Sequence, residues 1–417
     1  MSRNELKRVK VLERVLSGSM TLAEGTETLG VSSRQLRRLK TKYIEEGEGG
    51  LIHGNVGRKP KNTISEELRR KVVSLYKEKY YDSNFCHLSQ LLREHEGIDI
   101  SPSSIGRILK LAGKGAKHPR RQVKKHRLRE RRTQAGMLWQ ADATPYEWLG
   151  EEFGKFALHA AIDDATGIVV GAFFTPNECM EGYSEVMKQG IERYGVPLSI
   201  YSDRHTIFRS PNEKLTVDEE LAGQEVPLSN FGKAMEELSI EHIKATTPQA
   251  KGRVERLWET FQDRIPVELR LLGVRGIKEA NEALPELLKR HNERYKVVPA
   301  ENIDAYRALE EGTRLEYIFA WRESRKICAG CSISYKNKIY VPKDETICFE
   351  TRTTVETRET FSGKLIIWHK GRAVELREIE RAHRDMKQNT TNTVETTRAP
   401  HKPALDHPWR RSSQYRK

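Results

Sequence analysis

The sequence predicts a multidomain chain: all-α modules at the N-terminus, a mixed α/β core, and a small β-barrel. Three observations carry this. Apolar residues recur at helical spacing over 5–45 and again over 63–113. From about residue 137 the texture changes to short β-rich runs interleaved with helical patterns. From 329 to 380 only short alternating runs remain. A chain of 417 residues is also too long for one ordinary core.

Three short helices are expected over 5–45. LKRVKVLERVLSG is apolar at Val9, Leu12 and Val15, and MTLAEGTETLG ends in Gly30. VSSRQLRRLKTKYIEEG opens with serines suited to an N-cap and carries Arg34, Arg37, Arg38, Lys40 and Lys42. A helix, a glycine turn and a basic helix make a helix-turn-helix pattern, assigned to 1–53, with the basic residues placed to meet DNA. A plain three-helix bundle with a solvated basic face is the alternative.

GNVGRKPKN at 54–62 has linker composition. A second helix-turn-helix unit is assigned to 63–113, from ISEELRRKVVSLYKEKY to ISPSSIGRILKLAG. Ser101-Pro102 opens its last helix, and Ser103, Ser104 and Arg107 near that start mark a second recognition helix. Residues 114–135 form a basic linker with Arg120, Arg121, Lys124, Lys125 and Arg127. It reads as a solvated connection and equally as a segment that tracks phosphates.

The core is assigned to 136–300. MLWQADATPYEWL, FALHAAIDDATG, GIVVGAFFT and PLSIYSD are strand-like, with the helical pattern NECMEGYSEVMKQGIERYG before the last. A polar surface loop around RSPNEKLTVDEELAGQ follows. Then come a helix near FGKAMEELSI, a strand in EHIKATT, a helix from 252 and a long helix at about 277–295. A meander followed by alternating helix and strand implies a mixed sheet covered by helices. The barrel is assigned to 301–382. Residues 383–417, rich in Thr, Asn, Pro and Arg, are expected to be disordered.

The net charge of +14 and pI of about 9.4 favour a polyanionic partner, most simply double-stranded DNA. Five scattered cysteines suit a reducing cytosol. Cys328-Ala-Gly-Cys331 has metal-ligand spacing, but no second pair or nearby His completes a zinc set. No run is long and apolar enough for a membrane, so no membrane partner is expected, and a cytoplasmic, nucleoid-associated location is.

The chemistry-bearing candidates are carboxylates. Asp142 lies within WQADATPY, Asp203 ends LSIYSD, and Glu255 sits in the first turn of the helix from 252. On that helix Val254, Leu257, Trp258, Phe261 and Ile265 form an apolar stripe with Glu255 at its border. Gly252 permits close backbone approach, and Lys251, Arg253 and Arg256 are placed to hold phosphates. Acids converging on two divalent ions are what two-metal phosphodiester chemistry requires. Asp163 and Asp164 read better as a β-turn, and Glu259, one turn after Glu255, is a rival for its role.

WQADAT, IYSDRH and TPQAKGRVER together resemble the catalytic core of DDE transposases and retroviral-type integrases, most nearly insertion-sequence transposases of the ISNCY type. The resemblance spans most of the chain. It implies an RNase H-like core and makes Asp142, Asp203 and Glu255 the metal-binding, catalytic triad. It also implies two Mg²⁺ ions per site, with Mn²⁺ able to substitute. The implied function is a transposase that binds the terminal inverted repeats of its element, cleaves the 3′ ends and transfers them into target DNA. A homodimer or higher oligomer on DNA is expected. A catalytically inactive DNA-binding regulator and a nuclease that cuts without joining are the alternatives. In two places the sequence departs from the pattern. Fifty-one residues separate Asp203 from Glu255, more than in many integrase cores, and Arg204-His205 stands where relatives often carry Asn-Gly. His205 is therefore either a DNA contact or a structural residue.

Overall fold

The structure, a computed structural model, describes residues 2–52, 55, 63–117, 129–203, 205–208, 221, 226–244 and 252–379. It divides into two compact units, Met1–Gln122 and Val123–Lys417. The tail expected from 383, most of the linker at 54–62 and most of the polar insert after Asp203 lie outside the described residues. Among the described residues no helix is long and apolar enough to cross a membrane.

In the first unit, helices α1 (Arg3–Leu16), α2 (Leu22–Leu29) and α3 (Ser33–Glu46) start at the serines and threonine that local chemistry favours. Ser2 and Thr21 form capping boxes with Glu5 and Glu24, and the Ser32 side chain accepts from Gln35 N–H. Gly30 ends α2 in the left-handed conformation, at φ 62°, and so turns the chain into α3. Val9, Leu12, Leu36 and Leu51 close the small core. Helices α4 (Glu66–Glu78), α5 (Phe85–Glu96) and α6 (Pro102–Leu111) follow, with Ser101 capping α6 and proline in its first turn.

The second unit begins with a five-stranded sheet in the order β3-β2-β1-β4-β5. Its strands are β1 (Trp139–Tyr146), β2 (Phe156–Asp163), β3 (Val169–Thr175), β4 (Ser199–Ser202) and β5 (Glu241–Lys244). The first three pair antiparallel, and β4 and β5 join parallel to β1 and to one another. Strand alternation sends the two faces into separate cores. Trp139, Ala141 and Ala161 pack with α7 (Met180–Tyr194) and α8 (Asn230–Glu237). Leu158, Ala160 and Ile162 pack with α9 (Gly252–Leu271) and α10 (Ile277–Tyr295). The predicted stripe Val254, Leu257, Trp258, Phe261 and Ile265 is buried throughout.

The one-turn helix α11 (Leu315–Ile318) leads into a six-stranded sheet, all antiparallel, in the order β6-β9-β10-β11-β8-β7. The strands are β6 (Trp321–Lys326), β7 (Ile333–Tyr335), β8 (Lys338–Pro342), β9 (Thr354–Glu359), β10 (Leu365–His369) and β11 (Arg372–Ile379). An isolated bridge between Cys328 and Ser332 links the two ends, so the sheet is barrel-like and nearly closed. Ile327, Ile333, Val355, Ile367 and Val374 fill it.

Asp163 ends β2 and Asp164 opens the β2–β3 turn that their sequence context predicts, and both are buried. Asp163 accepts from Thr166 N–H at 2.8 Å and from Gly136 N–H at 2.8 Å. Asp164 does more than turn the chain. Its Oδ1 accepts from Gln140 Nε2 at 2.7 Å, from Arg253 Nε at 2.8 Å and from the Arg129 guanidinium, and its Oδ2 accepts from Arg132 N–H at 2.8 Å. The last part of the stretch expected as linker is therefore packed. Arg131 also donates to the carbonyls of Asp164 and Ala165, each at 3.2 Å.

Removing one partner of a buried ion pair strands the other charge. Asp164→Ala should destabilise the second unit by about 3 kcal/mol or more. Arg129→Ala should cost much less, because that side chain is 36% exposed while Asp164 is fully enclosed. Chemical denaturation of the two variants beside the parent checks this ranking.

Candidate active site where β1 passes the end of β4

The sheet register brings two of the predicted acids together. Trp139 pairs with Ile200 and Gln140 with Tyr201, so two residues further on Asp142 comes level with Asp203. Adjacent strands lie about 4.8 Å apart. Asp142 shares a strand face with Gln140, and that face looks toward α9. Trp258 Nε1 donates to Asp142 Oδ2 at 3.0 Å, and Val254 N–H donates to Gln140 Oε1 at 3.4 Å. With Arg253 held by Asp164, these contacts fix the first turns of α9 against β1. Glu255 stands in that opening turn, exposed, three residues before Trp258 and so on the same side of the helix. Among the described residues, no three His, Cys, Asp or Glu side chains converge on a ready-made metal cage.

A fourth acid, which sequence reasoning missed, stands at the same end of the sheet. Glu178 lies between β3 and α7 and accepts from the Tyr183 hydroxyl at 2.7 Å. Burial raises its pKa, and the charges of Asp203 and Asp142 raise it further. His205 Nδ1 is 3.9 Å from Glu178, while His205 N–H donates to Asp203 Oδ1 at 2.9 Å. The only sequence signal for Glu178 was an acid at a strand-to-helix junction, and this chain has many such acids. The other side of Tyr183 rests edge-on against the buried ring of His159. Gly182 lets that ring approach: a Cβ there would fall 2.4 Å from His159 Nδ1.

The remaining predicted residues are spread over both units. Arg34, Arg37 and Arg38 are exposed on α3, with Ser33, Thr41 and Lys42 beside them, whereas Lys40 is half-buried and apart from that face. Ser103 and Arg107 are exposed at the start of α6, and Ser104 is committed to its cap, donating through its N–H to Ser101 Oγ at 3.3 Å. Arg256 is exposed, but Arg253 is engaged inside the fold. Arg120, Arg121, Lys124, Lys125, Arg127 and Lys251 lie outside the described residues.

Residues 7–61 match the model of a helix-turn-helix domain family. The chain is 31% identical to a putative transposase of Sinorhizobium fredii over 92% of its own length and 83% of the relative's. It is 28% identical to the transposase for insertion sequence IS1202 of Streptococcus pneumoniae, over 98% of this chain and 94% of that one. Among solved structures, a chain of the simian T-cell lymphotropic virus intasome bound to the PP2A regulatory subunit B56 gamma matches at 14% identity and TM-score 0.28, over 75% of this chain and 99% of that one. The HTLV-2 integrase catalytic core in complex with magnesium matches at 19% and 0.24, over 36% and 83%.

The buried histidines set a pH dependence of stability. Burial lowers His159, His242 and His291 from 6.5 to about 4 each. Between those values the unfolded chain binds protons that the folded chain refuses, so stability rises with pH in that window and is lost as pH falls through it. Melting temperature should drop between about pH 7 and pH 5, and His291→Gln should flatten the slope by roughly one proton's share. Thermal denaturation across that range measures it.

Proposed function

The chain belongs to the transposase family, and from that premise we propose that it cuts and joins DNA at the ends of an insertion sequence. Asp142, Asp203 and Glu255 are the proposed DDE triad, on a sheet that we read as RNase H-like. The observation that carries this reading is the level placement of Asp142 and Asp203 on neighbouring parallel strands, with the opening of α9 fastened beside them by the Trp258–Asp142 hydrogen bond.

The donor set fits Mg²⁺. It offers hard carboxylate oxygens, and Mg²⁺ sites use one or two carboxylates with waters and substrate phosphates rather than a complete protein cage. Asp142 and Asp203 would hold the ions, with Glu255 completing the set and Mn²⁺ able to replace Mg²⁺. When bound, two such ions supply positive charge that activates the attacking oxygen and offsets the charge on the leaving one. The protein's own part is positional. The sheet holds Asp142 inside β1 and brings the residue after β4 level with it, Trp258 orients Asp142, the backbone N–H of His205 orients Asp203, and exposed Arg256 meets phosphate. Water would be the nucleophile in end cleavage, and the released 3′-OH the nucleophile in strand transfer.

End recognition falls to the exposed faces of α3 and α6, where Arg34, Arg37, Arg38, Ser103 and Arg107 are placed to reach base edges and phosphates. The basic segment with Arg120, Arg121, Lys124, Lys125 and Arg127 would follow the backbone. Two ends need two active sites, so a dimer or larger assembly forms on DNA.

Asp142→Asn, Asp203→Asn and Glu255→Gln should each reduce cleavage and strand transfer in Mg²⁺ by about a hundredfold or more, leaving end binding intact. Glu259→Gln should behave as the parent. A cleavage assay beside a gel shift decides it, and a parent protein that binds ends without cutting them would favour the regulator reading. Combined Arg34→Ala, Arg37→Ala and Arg38→Ala should weaken binding to end DNA by about tenfold or more relative to scrambled DNA, with the mass of the parent's shifted complex counting its chains.

A further inference from the structure

We propose that Cys331 and Cys348 form an oxidation site: their thiols join as a reversible intramolecular disulfide that staples the C-terminal barrel, independently of any activity on DNA. The sequence spacing suggests Cys328 and Cys331 as a pair, but the structure sends their sulfurs different ways. Ala329–Cys331 make the turn after β6, closed where Cys328 N–H donates to Ser332 O at 2.7 Å. Cys328 Sγ stays with β6, 3.9 Å from Lys326 O. Cys331 takes the left-handed conformation, φ 56°, which residues other than glycine rarely adopt. Its sulfur lies 3.8 Å from Ile347 O and 3.9 Å from Phe349 O, and Phe349 N–H donates to it at 2.8 Å. That nitrogen is two bonds from the Cα of Cys348, which puts the Cys331 sulfur within about 5 Å of this Cα. Cys348 Sγ is 3.9 Å from the same Phe349 O.

Both sides of the pair are held in place. Ile347 and Phe349 pack against the barrel core, and the Phe349 ring meets His369 edge-on. Cys348 between them is exposed, and Cys331 is half-buried. Arg352 N–H donates to Ile327 O at 2.8 Å and Ile327 N–H to Thr353 O at 2.9 Å, which ties the segment between β8 and β9 to the chain entering the turn. A sulfur this close to the other Cα needs only side-chain rotation to reach the other sulfur. The two thiols also hydrogen-bond to one another, and that contact is the largest cause raising the Cys348 pKa above its ordinary value. The oxidant is a low-molecular-weight disulfide, such as oxidised glutathione. The Cys348 thiol loses its proton and its sulfur attacks the small disulfide, whose S–S bond breaks and releases one thiolate to take up that proton. The Cys331 sulfur then attacks the mixed disulfide at Cys348, and the second small thiolate leaves with the Cys331 proton. Two protein thiols are oxidised to one disulfide, and one small disulfide is reduced to two thiols.

The test equilibrates the full-length protein with oxidised and reduced glutathione, blocks the remaining thiols with iodoacetamide and weighs the tryptic peptides. The expected product joins the peptide holding Cys331 to the peptide holding Cys348, is lighter than their sum by two hydrogens, and is lost in excess reduced glutathione. Cys328 shares a tryptic peptide with Cys331, so Cys328→Ser separates them: the link should persist in that variant and vanish in Cys348→Ser. The oxidised parent should melt several degrees above the reduced parent, while Cys348→Ser melts alike in both buffers. If a serine variant fails to fold, fragmentation of the parent's cross-linked peptide assigns the sulfurs. Glutathione mixed disulfides without the link, or a link made through Cys328, would overturn the proposal. Equal melting of oxidised and reduced parent, with the link formed, would refute the staple.

Discussion

The buried carboxylate of Asp164 is the constraint on which the second unit depends. One side chain in the β2–β3 turn collects the central strand through Gln140, the segment entering the core through Arg129 and Arg132, and α9 through Arg253. A charge enclosed this fully is tolerated only when it is neutralised and its lone pairs are filled. Both oxygens of Asp164 are, and satisfying them forces three chain segments into one arrangement. The consequence reaches the candidate site directly. Gln140 lies two residues before Asp142, and Arg253 two residues before Glu255, so the hub aligns the strand and the helix that carry the two acids.

The same unit has to hold several acids near one another without letting them repel the fold apart. It does so with a different device for each. Asp142 takes an indole N–H, Asp203 takes a backbone N–H, and Glu178 takes a tyrosine hydroxyl and faces an imidazole. Burial pushes the pKa of Glu178 upward, the Tyr183 hydrogen bond works against that, and the charges of Asp203 and Asp142 add to the rise. Asp142, Asp203 and Glu178 thus gather three carboxylates around the end of β4, in a chain of net charge +14. A surplus of acid placed against the overall balance is the electrostatic setting that a divalent cation relieves.

Local chemistry was legible in the sequence, and long-range pairing was not. The caps at Ser32 and Ser101, the left-handed Gly30 and the apolar stripe of α9 follow from spacings of three or four residues, and each was readable. The strand order follows from a meander and two βα units. Asp163-Asp164 was readable as a turn, because a turn is local. That Asp164 is also a hub was not, since Arg129 lies 35 residues before it and Arg253 89 after. The end of the basic stretch misled for the same reason: Arg129, Arg131 and Arg132 resemble solvated linker until the carboxylate and carbonyls they serve are placed. Lys40 was grouped with its basic neighbours by composition, but helix geometry turns it away from them. Glu178 acquires its meaning only when β3, α7 and the residues after β4 meet.

The distribution of charge also bears on how a polyanion reaches an acidic site. On the proposed reading, DNA must approach carboxylates that repel it. The guanidinium of Arg253, two residues before Glu255, is largely withdrawn into the fold by Asp164, leaving its side chain 16% exposed. Among the described residues, Arg256, beside Glu255 on α9, stays exposed, while Arg34, Arg37 and Arg38 form an exposed cationic face in the separate N-terminal unit. Attraction and chemistry are therefore separated. Cationic faces capture the phosphate backbone by displacing its counterions, a contribution that is sequence-independent and salt-sensitive. The acids on β1, after β4 and on α9 contribute nothing to that capture and would oppose it until divalent cations neutralise them. Such a division lets a bound end remain held while the site is empty of metal, and it makes productive contact between phosphate and carboxylates conditional on the cation that both of them bind.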